Sequence, residues 1–126
     1  MENLIKFWKK KKVLVTGHTG FKGSWLCIIL NLLNSKIYGY SLAPKKNSLY
    51  IKSKIKNYFA TSVYGDINDL NKLKKFIKKI KPEIIFHMAA QPLVLDSYKD
   101  PLNTFSTNVL GTVNLLEIIS SANSVK

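Results

Sequence analysis

The chain has 126 residues, 46% of them apolar, and a formal net charge of +13. That balance fits one globular domain over residues 1–126 and excludes both a disordered tail and a pair of ordinary domains. Its one cysteine, Cys27, excludes an internal disulfide framework and a cysteine-rich zinc site, and no metal site is expected.

All of the basic residues are lysines. Arginine, which reads phosphates and guanine edges bidentately, is missing, so the charge reads as solvated lysine faces rather than a nucleic-acid surface. No apolar run approaches the ~18 residues of a membrane span, and the N-terminus lacks a signal-peptide pattern. A cytoplasmic protein with neither a nucleic-acid nor a membrane partner is expected.

Residues 13–15 form a short apolar strand that runs into the glycine cluster from Gly17 to Gly23. Over residues 24–33 apolar positions cover most of the helical circumference, as in a helix packed on a sheet. A second strand is predicted over residues 36–41, then a loop marked by Pro44 and Asn47, then a poorly patterned helix over residues 48–59. Residues 62–64 are the third strand, ended by Gly65. Leu70, Leu73, Phe76, Ile77 and Ile80 recur at helical spacing with lysines on the other face; Asp69 is the expected N-cap and Pro82 the stop. Residues 83–88 are a fourth strand, apolar enough to suggest burial on both faces. After Pro101, the residues Leu102, Phe105, Val109, Val113, Leu116 and Ile119 trace one stripe of a long helix. Strands alternating with helices predict an α/β, doubly wound parallel sheet.

The stretch Thr16-Gly17-His18-Thr19-Gly20-Phe21-Lys22-Gly23 lies where a phosphate loop belongs, between the first strand and the first sheet-packed helix. Gly17 permits the tight turn, Gly20 lets backbone approach a pyrophosphate, and Gly23 allows close helix–strand packing; the helix N-terminus adds free N–H groups. The acidic residue that commonly holds the adenosine ribose is absent, since no Asp or Glu lies between Glu2 and Asp66. Ser41 could bond a ribose hydroxyl, and Lys45 or Lys46 a 2′-phosphate, so the residues leave NAD and NADP open. Asp66 is either an acceptor for an adenine amino group, with Ile67 beside it, or a turn residue.

The glycine loop, His87-Met88-Ala89-Ala90-Gln91 and Asn108-Val109-Leu110-Gly111-Thr112 together resemble the extended short-chain dehydrogenase/reductases. Phe7-Trp8, Ser24-Trp25-Leu26, Gly39-Tyr40-Ser41-Leu42-Ala43-Pro44 and residues 86–94 narrow the likeness to the CDP-glucose 4,6-dehydratase family, over residues 7–119. The resemblance implies a Rossmann-like fold with strand order 3-2-1-4, incomplete after the fourth strand and its helix, and NAD as cofactor. It implies that Gly17, Thr19, Gly20, Phe21, Lys22 and Gly23 form the pyrophosphate loop, and that Ser41, Asp66 and Ile67 serve the adenosine half. By the same likeness Ala89, Ala90 and Gln91 line the nicotinamide-side ribose, and Asn108 helps organise the catalytic water and lysine.

The family's activity, by resemblance, is oxidation of a CDP-sugar at C4, loss of water across C5–C6 and hydride return to C6, in a homo-oligomeric enzyme that serves surface polysaccharide synthesis. The catalytic Tyr-x-x-x-Lys pair is expected beyond residue 126, so no catalytic residue is assigned and the chain alone is expected to be inactive. Tyr50 and Lys54 match its spacing but lie between the second and third strands, at the adenosine end, and read as coincidence. His18 is expected near the phosphates and His87 against its strand, neither moving a proton. Leu95 and Asp96 stand where the family carries a basic residue. The rival readings are another nucleotide-sugar epimerase or dehydratase, a non-catalytic dinucleotide-binding fragment, and a basic nucleic-acid binder.

Overall fold

A computed structural model describes residues 2–126. The chain runs α1 (Glu2–Trp8), β1 (Lys12–Thr16), α2 (Phe21–Leu32), β2 (Lys36–Ser41), α3 (Leu49–Lys52), a 3-10 turn (Ile55–Tyr58), β3 (Phe59–Tyr64), α4 (Leu70–Ile80), β4 (Ile84–His87), α5 (Val94–Lys99), α6 (Pro101–Phe105), a π-helical turn (Ser106–Leu110) and α7 (Gly111–Ser120). The four strands are parallel, in the order 3-2-1-4. Parallel neighbours cannot be joined by a tight turn, so helices make the crossovers and cover both faces of the sheet.

Strand β1 sits at the centre, and Val13, Leu14 and Val15 are each 0% exposed. Alternation sends Val13 and Val15 to one face, where they pack with Cys27 and Leu30 of α2 and with Ile37, Tyr50 and Ile55. Leu14 faces the other way, onto Leu73, Phe76, Ile77 and Ile80 of α4 and Leu115 and Ile118 of α7. Each of these aliphatic and aromatic side chains contributes about 1.5–3 kcal/mol on full burial.

Helix α4 forms as its pattern predicts. The Asp69 carboxylate accepts from the Lys72 N–H at 3.0 Å, and Lys81 closes the helix in the left-handed region at φ 49° ahead of Pro82. The Glu83 carboxylate bonds the Lys11 ammonium at 2.9 Å and the Lys12 N–H at 3.0 Å, tying the start of β4 to β1.

Several elements differ from expectation. Helices α1 and α5 were not predicted, and α2 begins at Phe21 rather than at residue 24. The weakly patterned stretch 48–59 divides into α3, the 3-10 turn and the first residue of β3. Strand β4 packs on both faces as expected, with Ile85 on one core and Ile84 and Phe86 on the other, but its residues are only partly buried, because it is an edge of the sheet. On the last helical segment the expected stripe points outward: Leu102, Phe105, Val109, Val113 and Leu116 are exposed, while Gly111, Leu115 and Ile118 face the core.

Candidate functional site

The glycine loop joins the carboxyl end of β1 to α2, beyond the carboxyl ends of the strands, where open α/β folds bind ligands. Gly17 turns the chain at φ +73°, and a Cβ there would stand 2.6 Å from the backbone of Met88 and Ala89. A Cβ on Gly23 would overlap the Gly17 carbonyl. Both glycines are therefore demanded by the loop's own packing. Gly20 is less constrained: a Cβ would meet only the Gly17 oxygen, at a tight 3.3 Å, and the residue is exposed. The fold's demand for a bare backbone at Gly20 is therefore weaker than at Gly17 and Gly23: the Gly17 carbonyl would have to give by a few tenths of an ångström.

Gly20 is also the N-cap of α2 and offers no side chain to the first turn. The first-turn N–H groups lack intrahelical partners and carry the positive end of the helix dipole, which together favour an anion. Phe21 and Lys22 stand exposed at this end, with Phe21 70% accessible.

Thr19 and Ser41 are buried beside the loop. The Thr19 hydroxyl donates to the Leu42 carbonyl at 2.9 Å, so the Ser41 hydroxyl, 2.7 Å away, must donate to Thr19. The proton of Ser41 is thus committed, and toward a ribose hydroxyl Ser41 can only accept. Asp66 is exposed after β3 and accepts from the Asn68 N–H at 2.8 Å, which makes it a turn residue with acceptor capacity to spare. The Ile67 side chain packs in the core against Gly111.

Beyond β4, the Ala89-Ala90-Gln91 turn is pinned from α6–α7. The Asn108 Oδ1 accepts from the Gln91 N–H at 2.8 Å, and its Nδ2 donates to the Gln91 carbonyl at 3.1 Å. The Gln91 amide in turn accepts from the Leu93 N–H and donates to Thr104 Oγ1 at 2.9 Å. Asn108 lies inside the π-helical turn, an irregularity frequent at functional sites. Its side chain here is spent on holding a loop.

His18 does not face the loop surface. Its ring is 0% exposed, packed with Tyr50 and Phe59, and its Nε2 lies 2.8 Å from Ser62 Oγ. Burial lowers its pKa to about 4, against a smaller opposing pull from the Tyr40 carbonyl. Tyr50 is 1% exposed, and burial pushes its hydroxyl up to about 12; a tyrosine acting as base needs the opposite shift. Sequence reasoning gave no task to His87 or Thr112, which the fold brings within 3.0 Å of each other; the i, i+4 placement of Thr112 after Asn108 was the available signal.

Among the described residues no cluster of three His, Cys, Asp or Glu side chains could hold a metal ion, and no helix is long and apolar enough to cross a membrane. The pattern of the GDP-mannose 4,6-dehydratase family matches residues 14–126. The chain is 49% identical, over 121 residues, to a CDP-glucose 4,6-dehydratase of Salmonella typhimurium, covering 95% of this chain and 33% of that protein. A UDP-glucose 4-epimerase of Mycoplasma genitalium is 33% identical over 112 residues, covering 89% of this chain and 33% of that protein. Among solved structures, a UDP-glucose 4-epimerase from Brucella ovis in complex with NAD superposes with a TM-score of 0.77 at 27% identity, covering 91% of this chain and 34% of that one. The chain thus spans about one third of the length of the curated relatives it matches.

Proposed function

The chain belongs to the GDP-mannose 4,6-dehydratase family, and from that premise we propose that it is the NAD-binding part of a CDP-glucose 4,6-dehydratase. The observation that carries the reading is Gly20, an exposed bare position that the fold constrains far less than Gly17 or Gly23, at the uncapped start of α2. The likeness to a CDP-glucose 4,6-dehydratase supports the substrate, and the likeness to an epimerase solved with NAD supports the cofactor.

In this reading the α2 N-terminus and the backbone at Gly17, Gly20 and Gly23 hold the pyrophosphate, with Thr19 bracing the loop and Phe21 and Lys22 beside it. Ser41 accepts from a ribose hydroxyl, Asp66 accepts from the adenine amino group, and the backbone of Ile67 borders the ring. Ala89, Ala90 and Gln91 border the nicotinamide-side ribose, with Asn108 fixing their loop. NAD, when bound, supplies the hydride acceptor. Tyr50 and Lys54 take no part, since Tyr50 lies in the core.

Calorimetric titration of NAD against the wild type and Gly20→Val tests the reading. The variant is expected to fold with a modest drop in melting temperature, from the Cβ contact with the Gly17 carbonyl, and to lose binding at least tenfold, because the rest of the valine occupies the space left for the ligand. Equal affinity in both proteins would show that the loop is misassigned. A preference for NADP would move the ribose contact to Lys45 or Lys46 and overturn the NAD assignment.

A further inference from the structure

Thr112 lies just past the π-helical turn, with its Oγ1 2.7 Å from the Asn108 carbonyl and 3.0 Å from His87 Nε2. A carbonyl can only accept, so the one hydroxyl proton of Thr112 goes to Asn108 and the ring must donate from Nε2. The other ring nitrogen, Nδ1, is 2.8 Å from Thr16 Oγ1. In the neutral ring that nitrogen is an acceptor, so Thr16 donates to it. Thr16 Oγ1 then accepts from the N–H groups of Met88 and Ala89, at 3.1 and 3.2 Å. The hydroxyl protons of Thr112 and Thr16 and the ring proton of His87 thus each have one assignment.

We propose that His87 is a positioning residue of the cofactor site: its neutral ring, protonated on Nε2, ties β1 to the π-helical turn and sets where Asn108 pins the Gln91 loop. The role in cofactor binding rests on the function proposed above; the tautomer and the loop clamp do not. The geometry accounts for each residue type. Thr16 braces the peptide N–H groups that follow β4, and Thr112 occupies the Asn108 carbonyl by a bond back along the helix. A second ring proton would turn Nδ1 into a donor and leave the Thr16 proton without its acceptor. The groups facing the ring are Thr16 from β1 and Thr112 from α7, both uncharged, and burial alone holds the imidazole below its ordinary pKa.

The test uses nitrogen-15 spectra of the whole chain, which contains two histidines. His87 is expected in the Nε2–H form; the Nδ1–H form, or a rapidly exchanging mixture, overturns the proposal. Thr112→Val keeps the side-chain shape and removes the hydroxyl. It is expected to release the tautomer, to speed hydrogen exchange of the Gln91 amide about tenfold, and to weaken NAD binding by a similar factor, with Thr112→Ser restoring all three. Unchanged Gln91 exchange in Thr112→Val overturns the clamp. If the wild type fails to bind NAD, the reading of the site falls, while the tautomer and the Gln91 exchange still decide the relay. Should Thr112→Val not fold, the wild-type tautomer and the Thr112→Ser spectra carry the decision.

Discussion

Burying an imidazole without a counter-charge penalises its charged form, and at His18 the Tyr40 carbonyl offsets only a smaller part of that penalty. Its pKa is about 4 in the folded chain against 6.5 as the ordinary value. Between those values the unfolded chain takes up a proton that the folded chain refuses. Stability is therefore complete above pH 6.5 and falls on acidification toward pH 4, by on the order of 3 kcal/mol. His87 is shifted the same way by burial and adds to the slope. Glu83, held below the usual carboxylate value by Lys11, keeps its contribution above pH 4.5 and loses it only further into acid. Urea midpoints measured from pH 7 to pH 4 are expected to fall steeply in the wild type and less in His18→Phe; equal slopes would count against the assignment. At this scale the glycine loop is legible in the sequence, because a turn and a close approach are local demands. The depth of His18 is not, since it depends on Gly39 in another strand, where a Cβ would stand 2.7 Å from the ring. The His87 relay was hidden for the same reason: its members come from β1, β4 and α7.

Among the elements, α4 and α7 show when periodicity suffices. In α4 one face is apolar and the other is lysine, so the pattern alone says which side meets the sheet, and Leu73, Phe76, Ile77 and Ile80 are buried accordingly. The segment over residues 101–120 is apolar on both sides, so a stripe could be drawn on either. The choice falls to Gly111, where a Cβ would stand 2.6 Å from Ile67; the glycine's side of the helix is the one that can press against the core. The α4 N-terminus has a simpler dependence. The Asp69 carboxylate satisfies the Lys72 N–H at 3.0 Å on the exposed start of the helix. Replacing Asp69 by Ala is expected to cost about 1 kcal/mol and to lower the melting temperature by a few degrees, without touching NAD affinity. Calorimetric melting of the two proteins measures it, and an unchanged midpoint would show that water replaces the cap at no cost.

At the scale of the whole molecule, the described residues leave two features uncovered. Strand β4 is an edge, and on its outer side the chain's own last residue makes a start at pairing, with the Lys126 N–H donating to the Glu83 carbonyl at 3.0 Å. The residues of β4 remain half-exposed on a run of Ile-Ile-Phe-His, a strand of the kind that templates association. The second feature is the outward stripe of Leu102, Phe105, Val109, Val113 and Leu116, preceded by exposed Leu93, Val94, Leu95 and Tyr98. Apolar surface on this scale marks a contact face in soluble proteins, and it costs free energy in water for every side chain that stays wet. The 126-residue chain is expected to self-associate in solution, with the stripe supplying the apolar contact and the β4 edge the unpaired backbone. Light scattering is expected to give a mass that rises with concentration, and Val113→Lys with Leu116→Lys to return it toward the monomer while leaving the melting temperature within a few degrees, since neither side chain is in the core. Hydrogen exchange separates the two surfaces. If the edge is open, the amides of Ile84, Ile85 and Phe86 exchange faster than those of Val13, Leu14 and Val15 in dilute solution, and slow down as the protein is concentrated. A chain that stays monomeric at high concentration, with its β4 amides as protected as those of β1, would show that the edge is already closed and that the stripe does not drive association.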